Sequence, residues 1–200
     1  MMPDGCTIRT KNDWRRCMRD RLSCLPQQER AETAQCIEEL VSQTALFGQA
    51  RAVGFYRALS KEIPLDGLVR KAWNAGKCVL FPAREPEAVA YGWRLAGPDS
   101  VWEEGPDRVP QPSGHAAPDG VAPDLIFVPG LAFSRRGVRL GRGGGHYDRL
   151  LRASGACFLG VARSFQLVDE LPDDPHDVRM HGVVTEQKML AIAFPDGTRN

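Results

Sequence analysis

Between Gly137 and Leu151 the chain reads GVRLGRGGGHYDRLL, with arginines, a tyrosine and an aspartate set among glycines just ahead of a helical pattern. These residue types in this order outline a phosphate site. Glycines let the backbone take positive φ and bring N–H groups close to an anion, and the start of the following helix adds donors and a favourable dipole. Arg139 and Arg142 could clamp phosphate oxygens, while Asp148 stands where a carboxylate could hold a divalent ion beside them. The glycines alone fit an ordinary surface loop equally well, and it is the charges and Tyr147 that favour the anion site.

The elements that must position this loop follow from periodicity. Lys11 to Leu22 reads as a helix that places Trp14, Met18 and Leu22 on one stripe, with Lys11, Arg15 and Arg19 along its edge. Those cations could serve a ligand or simply lie along apolar surface and reach outward. Pro26 to Phe47 reads as a second helix, with Ile37, Leu40, Val41 and Leu46 as its apolar positions and Gly48 as its stop. Ala52 to Tyr56 and Cys78 to Phe81 read as strands, the second ended by Pro82, with a helix from Leu65 to Ala75 between them. Val89 to Leu95, Leu125 to Val128, Phe158 to Ala162 and Gly182 to Thr185 are further strands. Gly97 to Pro123, rich in Pro, Gly and Asp, reads as one long loop. This alternation predicts an α/β fold: a single-domain, three-layer Rossmann-like arrangement over residues 1–200, with a mainly parallel central sheet. The strand at Leu125 would deliver the chain to the glycine loop, in keeping with ligand binding beyond strand carboxyl ends.

Composition narrows the function classes. A formal net charge of +1 with 26% charged residues argues against a general nucleic-acid binder and leaves any anion site local. Cys6, Cys17, Cys24, Cys36, Cys78 and Cys157 are scattered without CxxC pairs, and no signal peptide precedes them, so reduced thiols in cytoplasm are expected. No apolar run approaches the roughly 20 residues that cross a bilayer, and a soluble monomer is expected. His176 and His181 lack cysteine partners at site spacing and do not suggest zinc.

With VPGLAF (Val128 to Phe133) ahead of it, the glycine segment resembles the motif of the 5-formyltetrahydrofolate cyclo-ligase family, also called methenyltetrahydrofolate synthetases. That motif is a proline-glycine-leucine-aromatic run followed by RLGxGxGYYD. The resemblance extends over nearly the whole chain, through Lys11 and Arg15, the Glu62-Ile63 pair, Gln166, Leu171-Pro172 and His176-Asp177. It implies conversion of 5-formyltetrahydrofolate and ATP to 5,10-methenyltetrahydrofolate, ADP and phosphate, with Mg2+ as cofactor and a phosphorylated formyl intermediate.

By that resemblance, Lys11 and Arg15 hold ATP from one side of a cleft and Arg139, Gly141, Arg142, Gly143, Gly144 and Gly145 from the other, joined by His146 and Tyr147. Arg142 and Tyr147 are the residues nearest the chemistry, and Asp148 and Asp177 the magnesium ligands. Glu62 matches the folate contact, where a carboxylate could accept the paired N–H donors of a pterin. Arg57 stands where the family often has an aliphatic wall residue, and His146 where it usually has the first tyrosine; both are assigned to the folate pocket. Tyr147 reads equally as a core residue, Asp177 as a turn aspartate and Glu62 as a surface carboxylate. Two other functions remain to be separated: a folate- or nucleotide-binding regulatory paralogue without turnover, and a phosphosugar enzyme on a similar scaffold.

Overall fold

Leu125–Pro129 and Cys157–Val161 are buried at every position, the pattern of parallel strands covered on both faces. The computed structural model describes residues 10–84, 88, 91–105, 108–114, 116–118, 121–152 and 154–193; Cys6, and Val89 and Ala90 of the expected third strand, lie outside them. In chain order come α1 (Lys11–Ser23), α2 (Gln27–Ser42), α3 (Ala45–Gln49), β1 (Ala52–Gly54), α4 (Asp66–Asn74), β2 (Cys78–Ala83) and β3 (Gly92–Leu95). A hairpin of β4 (Trp102–Glu104) and β5 (Pro110–Pro112) precedes β6 (Leu125–Pro129), β7 (Ala132–Ser134), β8 (Arg139–Leu140), α5 (His146–Arg152) and β9 (Cys157–Val161). β10 (Leu167–Val168), β11 (Gly182–Val184) and β12 (Met189–Ala191) follow.

The main sheet has seven strands in the order β12-β11-β9-β6-β1-β2-β3. Its interior pairings are parallel and both edge strands are antiparallel. One face packs Val53, Leu125, Phe127 and Leu159 against Ile37 and Val41 of α2 and Leu68 and Ala72 of α4. The other packs Ile126, Val128 and Phe158 against Leu151 of α5, together with Phe133 and Met180. The chain is thus α/β with helices on both faces of a mainly parallel sheet, as predicted.

α1 belongs to neither layer. Thr10 and Asp13 form its capping box, and Trp14, Met18 and Leu22 pack on Leu131, Val138 and Leu140, in and beside a small sheet ordered β10-β7-β8. The expected stripe is therefore buried, and the side sheet it lies on is the element that turns its basic edge toward the glycine loop.

Three expected boundaries are corrected. The helix predicted from Pro26 to Phe47 is two: the Thr44 hydroxyl caps the Phe47 N–H at 3.2 Å and starts α3, which contains Gly48 instead of ending there. Pro82 does not stop its strand. The ladder between β1 and β2 ends at Leu80, so at Pro82, which pairs with Trp93 of β3, no β1 residue requires the missing N–H. The stretch from Gly97 to Pro123 contains the β4–β5 hairpin, anchored by the buried Arg94, which donates to Glu103 at 2.9 Å and to the Pro112 carbonyl at 2.7 Å. Cys17, Cys24, Cys36, Cys78 and Cys157 are free thiols. Among the described residues no helix is long and apolar enough to cross a membrane.

His181 at the start of β11 accepts the Phe158 N–H on Nδ1 at 2.9 Å, a bond that requires an unprotonated nitrogen. Burial holds its pKa below the ordinary histidine value. Between that lowered pKa and about 6.5 the unfolded chain carries the extra proton, so this contribution to stability is present above about pH 6.5 and is lost as pH falls through the folded value. The thermal midpoint should drop between pH 7.5 and 5.5, with a shallower drop in His181→Asn. An unchanged slope in the variant would assign the pH dependence elsewhere.

Candidate active site

β6 ends at Pro129, and the chain must then turn within two residues to enter β7. Gly130 allows it, since a Cβ there would come within 2.7 Å of the Phe133 ring and 3.3 Å of Arg139. The Gln166 amide fixes the turn by donating to the carbonyls of Gly130 at 3.1 Å and Leu131 at 3.0 Å. The β7–β8 hairpin then brings Arg139 under the loop. Its buried guanidinium donates to Asp148 at 2.9 Å and to the Pro129 carbonyl at 3.4 Å, and lies 5.6 Å from the centre of the Tyr147 ring. Above it the backbone turns through positive φ at Gly143 and Gly145, which side-chain-bearing residues rarely adopt.

α1 forms the opposite wall. Arg15 donates through Nε to the Gly141 carbonyl at 3.1 Å, and Arg19 donates to the Arg142 carbonyl at 3.2 Å. Lys11 donates to Asp177 at 2.5 Å and to Asp174 at 2.6 Å. Burial works against its ammonium, but the two carboxylates outweigh that and hold its pKa above the ordinary lysine value.

The third wall follows β1. Tyr56 is buried and donates its hydroxyl to the Ile63 carbonyl at 2.6 Å, shaping the segment that carries Glu62. The Glu62 carboxylate accepts the Leu59 N–H at 2.9 Å and pairs with Arg142 at 3.3 Å. Burial nevertheless pushes its pKa above the usual carboxylate range. Burial also raises the Tyr147 pKa, so that phenol stays protonated and is a donor, not a base, at neutral pH. Tyr147 packs against both core clusters, so its core reading and its cavity reading hold together.

These walls enclose a cavity of about 710 Å³, within the usual size of small-molecule sites. Lys11, Arg15, Arg57, Glu62, Arg139, Asp148, Asp177 and the run from Gly141 to Tyr147 all line it. Several are engaged differently from the simplest expectation. Arg57 pairs with Asp66 at 3.0 Å and lies 5.0 Å from the centre of the Trp102 ring, so its charge is turned along the rim. His146 lies 5.4 Å from the Tyr91 ring, an aromatic neighbour at the position where the motif usually has its first tyrosine. Asp148 and Asp177 each already hold a cation of the protein.

Among the described residues no three His, Cys, Asp or Glu groups cluster as a cage for a metal ion. Two carboxylates at the cavity edge nevertheless suit magnesium carried in on phosphate oxygens, which needs only one or two of them. Arg19, expected on the basic edge of α1, also belongs to the walls, as do Asp174, Tyr91 and Arg163, which the sequence does not single out. The acidic run Asp173-Asp174 two residues before His176 was a signal for Asp174; Tyr91 and Arg163 depend on tertiary placement.

The chain matches the model of the 5-formyltetrahydrofolate cyclo-ligase family over residues 7–186. It is 32% identical over 188 residues to the 5-formyltetrahydrofolate cyclo-ligase of Mycolicibacterium smegmatis, covering 90% of this chain and 95% of that one. It is 30% identical over 159 residues to the Haemophilus influenzae protein of the same name, covering 74% and 84% respectively. Its structure resembles the Aquifex aeolicus 5,10-methenyltetrahydrofolate synthetase with a TM-score of 0.80 and 26% identity, covering 95% and 96% of the two chains. Motif, architecture and similarity over almost the full length agree, and the chain belongs to the 5-formyltetrahydrofolate cyclo-ligase family of enzymes.

Proposed function

We propose that the cavity binds ATP and 5-formyltetrahydrofolate together and closes the latter to 5,10-methenyltetrahydrofolate, releasing ADP and phosphate. The observation that carries this reading is the Arg142–Glu62 contact of 3.3 Å. It joins the cationic glycine loop to Glu62 on the β1 wall, so phosphate and pterin would meet end to end.

The formyl amide is a poor electrophile, and phosphorylating its oxygen turns that oxygen into a leaving group. The formyl oxygen attacks the γ-phosphorus while the bond to the β-phosphate oxygen breaks and ADP departs. The neighbouring folate nitrogen, N10, then attacks the activated carbon, its proton is lost, and the carbon–oxygen bond breaks to release phosphate. Phosphoryl transfer of this kind depends mainly on alignment and on stabilising charge. Lys11, Arg15 and Arg142 would hold the phosphates, with Arg142 nearest the transferred group; the protonated Tyr147 would donate to a phosphate or formyl oxygen. Arg139 sits deeper and acts through Asp148, keeping that carboxylate aimed at the cavity edge. Magnesium held by Asp148 and Asp177 would neutralise phosphate charge and polarise the γ-phosphate. Glu62 would accept pterin N–H donors at the other end.

The direct test is a near-ultraviolet time course of the methenyl product with each component omitted in turn. Product requiring protein, ATP, magnesium and 5-formyltetrahydrofolate is expected; tight binding of both ligands without product would indicate a regulatory paralogue. Lys11→Ala should raise the KM for ATP roughly 10- to 100-fold by removing a charge-assisted bond, with the KM for folate little changed. Glu62→Gln should do the reverse, and the split between the two constants is the readout. Because Glu62 must be ionised to accept two donors and its pKa is raised by burial, folate affinity should fall as pH drops while still above the ordinary carboxylate range. That acidic limb should flatten in Glu62→Gln.

Asp148→Asn removes a metal ligand and also leaves the buried Arg139 guanidinium without its carboxylate. We expect loss of turnover together with a loss of roughly 2 kcal/mol in folding stability, discounted for the partial exposure of Asp148. Loss of activity with an unchanged denaturation midpoint would confine Asp148 to the ligand.

A further inference from the structure

Arg163 follows the carboxyl end of β9, where the chain leaves the sheet, and only 4% of the residue is exposed. Its guanidinium makes one hydrogen bond, from Nη1 to the Lys61 carbonyl at 3.3 Å, while Nε is buried with no partner. Among the described residues no carboxylate pairs with it. Glu186, the nearest element's acid, gives both oxygens to the Ser164 N–H, and Glu29, Tyr56 and Arg30 act on Arg163 through space alone. The other buried guanidiniums differ in having a carboxylate, Arg139 with Asp148 and Arg94 with Glu103, each at 2.9 Å, although the Arg139 Nε likewise has no partner. A charge withdrawn from water with one neutral partner is costly, and burial lowers the Arg163 pKa accordingly. Such a group is retained where a ligand completes it.

The location says which ligand. Arg163 lines the same cavity as Glu62, and the Lys61 carbonyl it touches belongs to the peptide that leads into Glu62. A buried donor and a buried acceptor therefore line one cavity, joined through the Lys61–Glu62 peptide. A pterin presents the complementary edge: two N–H donors beside a ring carbonyl. We propose that Arg163 reads the substrate, donating to the 4-oxo group of the pterin whose adjacent N–H donors Glu62 accepts. This rests on the assignment of Glu62 to the pterin. A 4-amino pteridine would set N–H donors against the Arg163 donors, leaving both unpaired, and a site built on a buried hydrogen bond discriminates strongly against such an analogue.

The experiment is a titration of 5-formyltetrahydrofolate, its 4-amino counterpart and MgATP onto the wild-type protein, Arg163→Met and Glu62→Gln, each first shown to be folded by circular dichroism. In Arg163→Met we expect at least about tenfold weaker binding of the 4-oxo ligand, a reduced preference for it over the 4-amino ligand, and unchanged binding of MgATP. Unchanged folate affinity and preference would overturn the proposal, as would a loss confined to MgATP, which would make Arg163 a phosphate residue. If Glu62→Gln weakens folate while Arg163→Met does not, only the Arg163 assignment fails; if Glu62→Gln has no effect either, the pterin reading of this wall fails with it. Should Arg163→Met not fold, Arg163→Lys keeps the charge without the paired N–H geometry, and the same weakening and reduced preference are expected of it; their absence overturns the proposal.

Discussion

β1 and β6 lie side by side and parallel, yet the chain leaves them in opposite directions, and the rest of the molecule is arranged around that divergence. From β1 it passes to α4, which packs on one face of the sheet; from β6 it passes through the β7–β8 hairpin to α5 on the other. Parallel pairing forces each connection to return over a face, so neighbouring strands whose connections choose different faces leave a crevice above their carboxyl ends. The segment with Tyr56 and Glu62 enters this crevice from β1, and Gly130 with the glycine loop enters from β6. Neither wall could face the other if both connections crossed the same face.

Closing such a crevice with cations on two sides requires that they do not repel the loop they serve. The arrangement meets this with the loop's own carbonyls, which accept from Arg15 and Arg19, and with carboxylates placed at Lys11 and Arg139. Apolar packing does the docking: Trp14, Met18 and Leu22 seat α1 on the side sheet, so the cations need not provide the attachment energy. On the proposed function Asp148 and Asp177 would have two roles. Without ligands they neutralise the protein's cations, and when phosphates arrive the charges can be redistributed among arginine, lysine and metal. Glu62 and Arg163 give the wall after β1 and β9 a different character, a buried acceptor and a buried donor lining the same crevice, which on the proposed function would meet a flat heterocycle edge.

Features carried by local pattern were legible in the sequence. The stripe on α1, the uniformly apolar β6 and β9, and the glycine run each declare themselves within a few residues, and all the residues assigned from them line one cavity. What escaped depends on neighbours distant in the chain. Pro82 ends a strand by propensity, but its missing N–H matters only where another strand would use it, and β1 has already ended there. The break at Thr44 turns on one hydroxyl serving as a cap. β4 and β5 have three residues each and almost no periodicity to read; the buried Arg94 makes them a hairpin. Asp174 beside Lys11 and Arg163 beside Lys61 are pairings across 163 and 102 positions of sequence, which only the fold brings about.

On the proposed function one crevice holds both substrates, with phosphates at the glycine loop and the pterin at Glu62. A crystal structure with a non-hydrolysable ATP analogue, magnesium and 5-formyltetrahydrofolate tests it most directly. The γ-phosphate is expected between Arg15 and Arg142, with the pterin N–H edge on Glu62 and the formyl oxygen facing that phosphate. A nucleotide bound away from the glycine loop, or a pterin bound beyond reach of Glu62, would contradict it.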